Sequence, residues 1–155
     1  MSRAVSYKPN LSSAALFFGL AIILILMAVI IVIAPAILHP EVNFGSCRVL
    51  VDVARTDQQK AQGLSGRATI ADSYGMVFPF NHEQPYFWMK GMLSSIDIVW
   101  LAGNKVVAIN PNLPTDDGAT QYQAPEPIDW VLEVGAGRAA ACGVKTGSVV
   151  TGLRS

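Results

Sequence analysis

Histidine and cysteine are scarce in this chain, with two of each in 155 residues. Two cysteines, Cys47 and Cys142, form neither a disulfide framework nor a zinc-ligand series, which need more sulfur or imidazole at short spacing. The two imidazoles, His39 and His82, lie outside any recognisable catalytic pattern. No G-x-S-x-G, H-E-x-x-H or glycine-rich phosphate loop is present, so the acyl-transfer, metalloprotease and nucleotide templates find no counterpart. Net charge is missing too. Eleven basic residues (11) balance 11 acidic ones, and residues 41–155 hold 9 bases against 11 acids. That balance leaves no basic footprint for nucleic acid.

Between Pro9 and Leu38 ionisable side chains are absent altogether, and "AALFFGLAIILILMAVIIVIAPAIL" (Ala14 to Leu38) is apolar throughout. At 1.5 Å rise per residue, roughly 20 helical residues cross a ~30 Å hydrocarbon core. No polar stripe marks the run as an interfacial helix or one face of a bundle. It reads as a membrane anchor over residues 14–36, with the lipid bilayer as its partner. Arg3 and Lys8 precede it, whereas the far side begins with His39 and Glu41. The positive-inside rule then places residues 1–13 in the cytoplasm. Residues 37–46 become a tether, and 47–155 an extracytoplasmic domain at the cell membrane. Ala34-Pro35-Ala36 also fits a signal-peptidase site, but signal h-regions span only about 7–15 residues. Cys47 lies too far beyond the run to be a lipoprotein cysteine.

Beyond the anchor, short β-like runs dominate. "CRVLVDVA" (Cys47 to Ala54) alternates as a strand. "TDQQKAQG" then fits a short helix, with Thr56 as N-cap, Gln59 closing the capping box and Gly63 as the stop. "GMVFPF" and "YFWMK" are β-like and separated by a loop, "NHEQP". "SIDIVWLA" and "KVVAIN" flank a two-residue Gly103-Asn104 turn, the signature of a tight hairpin. In that register Ala102 faces Lys105, Leu101 faces Val106, Trp100 faces Val107 and Asp97 faces Asn110. Asn110 to Pro127 reads as a long proline-rich loop. "IDWVLEV" follows as a strand, "GAGRAAACG" as a short helix bounded by glycines, and "SVVTGL" as the last strand. The pattern predicts a mostly β fold: a single compact antiparallel β-barrel or sandwich with one or two short helices, preceded by one transmembrane helix.

"GLSGR" (Gly63 to Arg67), "GMVFPF", "FWMK", "SIDIVWLAGNKVVAI", "VLEVGAG" (Val131 to Gly137) and "CGVKTGSVV" stand in an order and spacing that resemble the domain of unknown function 192 family. The resemblance covers about residues 47–151. It implies a compact, mostly β domain, commonly exported or membrane-tethered, and brings no reaction with it. One departure is visible: Gly91-Met92 stands where family members commonly carry Asn-Thr after the lysine.

Within the matching segments, Arg67, Trp88, Lys90, Asp97, Asn110 and Glu133 form the candidate ligand-binding set. In "YFWMK", Phe87 and Met89 share one face, and Tyr86, Trp88 and Lys90 the other. Asp97 sits in an otherwise apolar strand, so Arg67, Lys90 or backbone N–H groups must satisfy it. Cys47 and Cys142 are either a disulfide or two buried thiols. Met76, His82, Met89 and Met92 suit copper by ligand type, but methionine is also an ordinary core filler, and no metal or cofactor is expected. No residue is assigned a catalytic role. Three function readings remain: a tethered module binding a small polar or envelope-derived ligand, a hydrolase or lyase of envelope material using Asp97, Glu133 and Lys90, and a purely structural partner.

Protease added to intact cells should degrade the domain while leaving cytoplasmic markers whole. Survival of residues 41–155 under those conditions would overturn the topology.

Overall fold

The computed structural model describes residues 17–28, 39–116 and 118–154. The chain divides into two units, Met1–Leu38 and His39–Ser155. In the first, residues 17–28 are helical (α1) and their side chains are exposed. The remainder of the expected 14–36 span lies outside the described residues. Among those described, no helix is long and apolar enough to cross a membrane.

The second unit is mostly β. A seven-stranded sheet runs in the order β6 (Lys105–Leu113), β5 (Ile96–Ala102), β8 (Ile128–Gly135), β3 (Tyr74–Glu83), β2 (Cys47–Val53), β1 (Glu41–Phe44), β9 (Val150–Thr151). It curls into a half-barrel. A few backbone bonds, such as Val106 N–H to Ser148 O at 2.9 Å, tie the start of β6 to the segment leading into β9. A second, two-stranded sheet pairs β4 (Tyr86–Trp88) with β7 (Gln121–Gln123). Two short helices complete the unit, α2 (Asp57–Gln62) and α3 (Arg138–Ala141).

Several sequence expectations need correction. The tether contains β1, because Val42 and Phe44 alternate inward and are fully buried. β2 and β3 pair in parallel, with α2 in the connection between them, so the sheet is mixed rather than wholly antiparallel. β3 continues through Asn81 to Glu83 by way of a register shift after Pro79. The long loop holds the end of β6 and all of β7.

The hairpin turns at Gly103-Asn104, and Ala102 and Leu101 face Lys105 and Val106. From there the register departs from the even pairing: Trp100 faces Ala108 and Ile98, not Asp97, faces Asn110. Val107 is the extra residue of a bulge, which a count along the hairpin does not reveal. A second shift opens opposite Asp97, where Pro111 has no N–H to give and Asn112 adopts φ 52°.

Strands β5 and β8 are flanked by strands on both sides and largely buried on both faces. Alternation divides the interior. Val77, Val99, Leu101, Leu132 and Val134 join one apolar cluster, while Met76, Phe78, Ile98, Trp100 and Val131 join another. Cys47 and Cys142 are bonded across a sequence separation of 95 residues. Beside the bond, Gly45 (φ +63°) approaches so closely that a Cβ there would lie 2.1 Å from Cys142 O.

Converting both cysteines to serine should remove about 4–5 kcal/mol of stability, since the bond closes a long loop in the unfolded chain. A double variant with the wild-type urea midpoint would contradict this.

Candidate functional site

β8 carries one acid into the interior. Glu133 faces Met76 of β3 on one side and Ile98 of β5 on the other, so its carboxyl shares the second cluster's face. It is 5 % exposed. The turn after α2 comes down over it. α2 starts at a complete capping box, with Gln59 N–H donating to Thr56 Oγ1 and Gln59 Oε1 accepting from Thr56 N–H. It stops at Gly63, whose N–H bonds Gln59 O. Gly63 takes φ 50° and ψ −136°, a backbone state that side chains disfavour. Its missing Cβ leaves space beside the carboxyl, as a Cβ there would lie 3.2 Å from Glu133 Oε2.

The backbone N–H of Leu64 donates to the Glu133 carboxyl, and Oε2 has no hydrogen-bond partner among the described residues. Burial pushes the carboxyl up to about 8, against a smaller lowering by the Leu64 N–H. Glu133 is therefore largely a neutral acid at pH 7, with one O–H to donate.

This carboxyl borders a cavity of about 220 Å3, lined also by Lys60, Gly63, Leu64, Ser65, Phe80, Tyr86, Phe87, Trp88 and Met92. Strand alternation sorts the β4 side chains. Phe87 points inward and packs edge-on against Phe78 (5.0 Å) and Trp100 (5.5 Å), which fixes the strand. Tyr86 and Trp88 stay half exposed, ring centroids 5.7 Å apart and tilted by 47°. Lys60 Nζ stands 4.3 Å from the centre of the Phe80 ring, a cation–π contact at the rim. Ser65 Oγ donates to Lys90 O at 3.0 Å, tying the turn to the loop after β4.

Of the sequence candidates, Trp88 and Glu133 meet in this cavity and the other four stand elsewhere. Arg67 pairs with Asp52 (Nη2 to Oδ2, 3.4 Å) and lies over the Tyr74 ring at 4.7 Å. Tyr74 donates its hydroxyl to Asp52, and His39 Nδ1 stands 2.8 Å from the other Asp52 oxygen. Burial, followed by the Asp52 contact, raises the Tyr74 phenol well above its usual range. Lys90 is exposed, with its backbone bridged to Asp116. Asn110 accepts the Trp100 indole N–H at 2.6 Å.

Asp97 is fully buried and accepts three backbone N–H groups: Asn112 (2.8 Å), Gly137 (2.9 Å) and Ala139 (2.9 Å). It faces Val134 across the sheet, so Asp97 and Glu133 project from opposite faces. The expected pairing of Asp97 with Asn110 is not formed, since Ile98 faces Asn110.

Lys60, Gly63, Ser65, Phe80, Tyr86 and Met92 were not among the sequence candidates. Gly63 carried a signal, since a helix stop can also be a close approach to another group. Among the described residues no three His, Cys, Asp or Glu side chains are grouped to hold a metal.

A family model for DUF192, described as "Uncharacterized ACR", matches residues 41–152. No curated protein matches the chain. A Sinorhizobium meliloti protein, called "a putative transcription regulator", is 27% identical with a TM-score of 0.66, over 72% of this chain and 90% of that one. A Novosphingobium aromaticivorans protein of unknown function is 32% identical with a TM-score of 0.64, over 73% of this chain and 83% of that one.

The raised Glu133 carboxyl makes stability depend on pH. Between the ordinary value of 4.5 and about 8 the folded state holds a proton that the unfolded state has released. Stability from this group is therefore full below the lower value and falls as pH rises to the upper one, by roughly 3–5 kcal/mol. Glu133→Gln should remove that slope from urea midpoints measured across the window. Parallel profiles for the two proteins would contradict the assignment.

Proposed function

Because the chain belongs to the DUF192 family, which brings a domain but no reaction, we propose that it is a ligand-binding module tethered to the membrane. In this reading residues 14–36 are the anchor and the β domain lies outside the cytoplasm. The cavity between α2 and β4 takes a small polar or envelope-derived ligand. The supporting observation is Glu133: a buried acid with an oxygen left unpartnered, beside a void with aromatic walls. Isolated polar atoms in a core cost free energy, so an acid kept there without a partner suits a ligand that supplies one. Trp88 and Tyr86 give such a ligand large, rigid contact surfaces at the mouth. The Cys47–Cys142 bond suits an oxidising compartment.

Hydrolase or lyase chemistry is less well supported. Acid and base need to converge on one bond, whereas Asp97 turns away from the Glu133 face and spends its oxygens on three N–H groups. A purely structural role leaves the cavity and its acid without use. A regulator acting on nucleic acid has no support in the charge of residues 41–155, 9 bases against 11 acids.

Mass spectrometry of small molecules released from the full-length protein, purified from its native host, tests the reading. Wild type should carry a ligand, and Trp88→Ala should carry at least about tenfold less, equivalent to one aromatic contact of about 1.4 kcal/mol. Equal retention by the two proteins would remove the cavity from the account.

A further inference from the structure

The polar atoms in the cavity are few, and their hydrogen-bonding capacities are fixed by their neighbours. Glu133 Oε2 is buried without a hydrogen-bond partner among the described residues, so the neutral acid has an oxygen free to carry its proton toward a ligand. Oε2–H is a donor in search of an acceptor. Ser65 is the reverse case. Its hydrogen has two acceptors within the protein, Lys90 O at 3.0 Å and the weaker Met92 Sδ at 3.7 Å, so to a ligand the hydroxyl offers its lone pairs. Leu64, Phe87 and Met92 add apolar lining, while Lys60, Tyr86 and the exposed Gln62, whose amide donates to Ser65 O at 3.2 Å, add polar groups.

A donor on buried Glu133 and an acceptor on Ser65, beside apolar side chains, complement a secondary amide. A carboxylate would meet the Ser65 lone pairs, and an ammonium would meet the acid proton. The mouth adds a second requirement, because Tyr86 and Trp88 offer exposed aromatic faces to an uncharged ring whose C–H groups point outward.

Resting on the pocket reading above, we propose that the cavity takes the acetamido group of an N-acetylated amino sugar. The carbonyl oxygen accepts from Glu133, the amide N–H donates to Ser65 Oγ, the methyl fills the apolar floor and the sugar ring lies against Tyr86 and Trp88. Besides Glu133, the charged or titratable side chains on this cavity are Lys60 of α2 and Tyr86 of β4, and Lys60 is held over Phe80. Ionisation of Glu133 would remove the donor and set a negative oxygen against the carbonyl.

Titration calorimetry on the full-length protein tests this with three probes: N-acetylglucosamine, glucose and N-acetylalanine methylamide. N-acetylglucosamine should bind saturably, at least about tenfold more tightly than either other probe, the factor expected for one good polar contact. Its affinity for wild type should fall between pH 7 and pH 9.5. Glu133→Gln keeps a donor and should bind comparably at pH 6.5 without that fall, whereas Glu133→Ala should lose about tenfold or more. Equal binding of glucose and N-acetylglucosamine would overturn the acetamido assignment, and equal binding of the acetylated peptide analogue would overturn the sugar. Failure of every probe, with a different native ligand still lost on Trp88→Ala, would overturn this inference and leave the pocket reading intact. Failure of every probe with retention unaffected by Trp88→Ala would sink both.

Discussion

Three backbone N–H groups converging on the Asp97 carboxylate hold the domain's parts in place. They come from the end of β6, from the turn after β8 and from the start of α3, and Asp97 itself lies in β5, between β6 and β8. A buried carboxylate without such partners would be expelled or neutralised, and the N–H groups without it would be buried donors with nothing to bond. Each side therefore requires the other. α3 then leads directly into Cys142, whose bond to Cys47 carries the same constraint to the β1–β2 edge. One acid and one disulfide thus connect segments from both ends of the domain sequence.

Glu133 is the contrasting case on the opposite face of the same sheet. It has the same chemical group and nearly the same burial, yet among the described residues one of its oxygens has no hydrogen-bond partner. Low dielectric acts on both acids, but with different results. For Asp97, three donors replace the lost water. For Glu133, the proton stays on, and the acid becomes a donor facing a void. The site arises from this incomplete solvation, with Gly63 leaving the space and β4 placing the aromatics around it.

How far this was readable from sequence depends on range. Local rules found what local forces decide: the Thr56–Gln59 capping box, the Gly63 stop, the Gly103-Asn104 turn and the inward and outward faces of β4. They also predicted that Asp97 needs partners, with backbone N–H groups among those named. The failures are non-local. β1 is too short to declare itself without β2 and β9 beside it. The Val107 bulge shifts the hairpin by one residue, and alternation within a single strand carries no trace of that. The Glu133 cavity depends on a turn some 70 residues earlier in sequence than the acid it covers (Gly63 to Glu133). Their place in the segments that resemble the family marked Trp88 and Glu133 as candidates, but nothing in their spacing brings them together.

The central claim is that Glu133 is protonated in the folded protein at neutral pH. Carbon-detected NMR of the glutamate side-chain carboxyls, with the resonance assigned by Glu133→Gln, measures it directly. The account predicts that the Glu133 resonance titrates near 8. A Glu133 resonance with its midpoint near the ordinary 4.5 would mean that the acid is ionised in its pocket, and the neutral-donor account would fail.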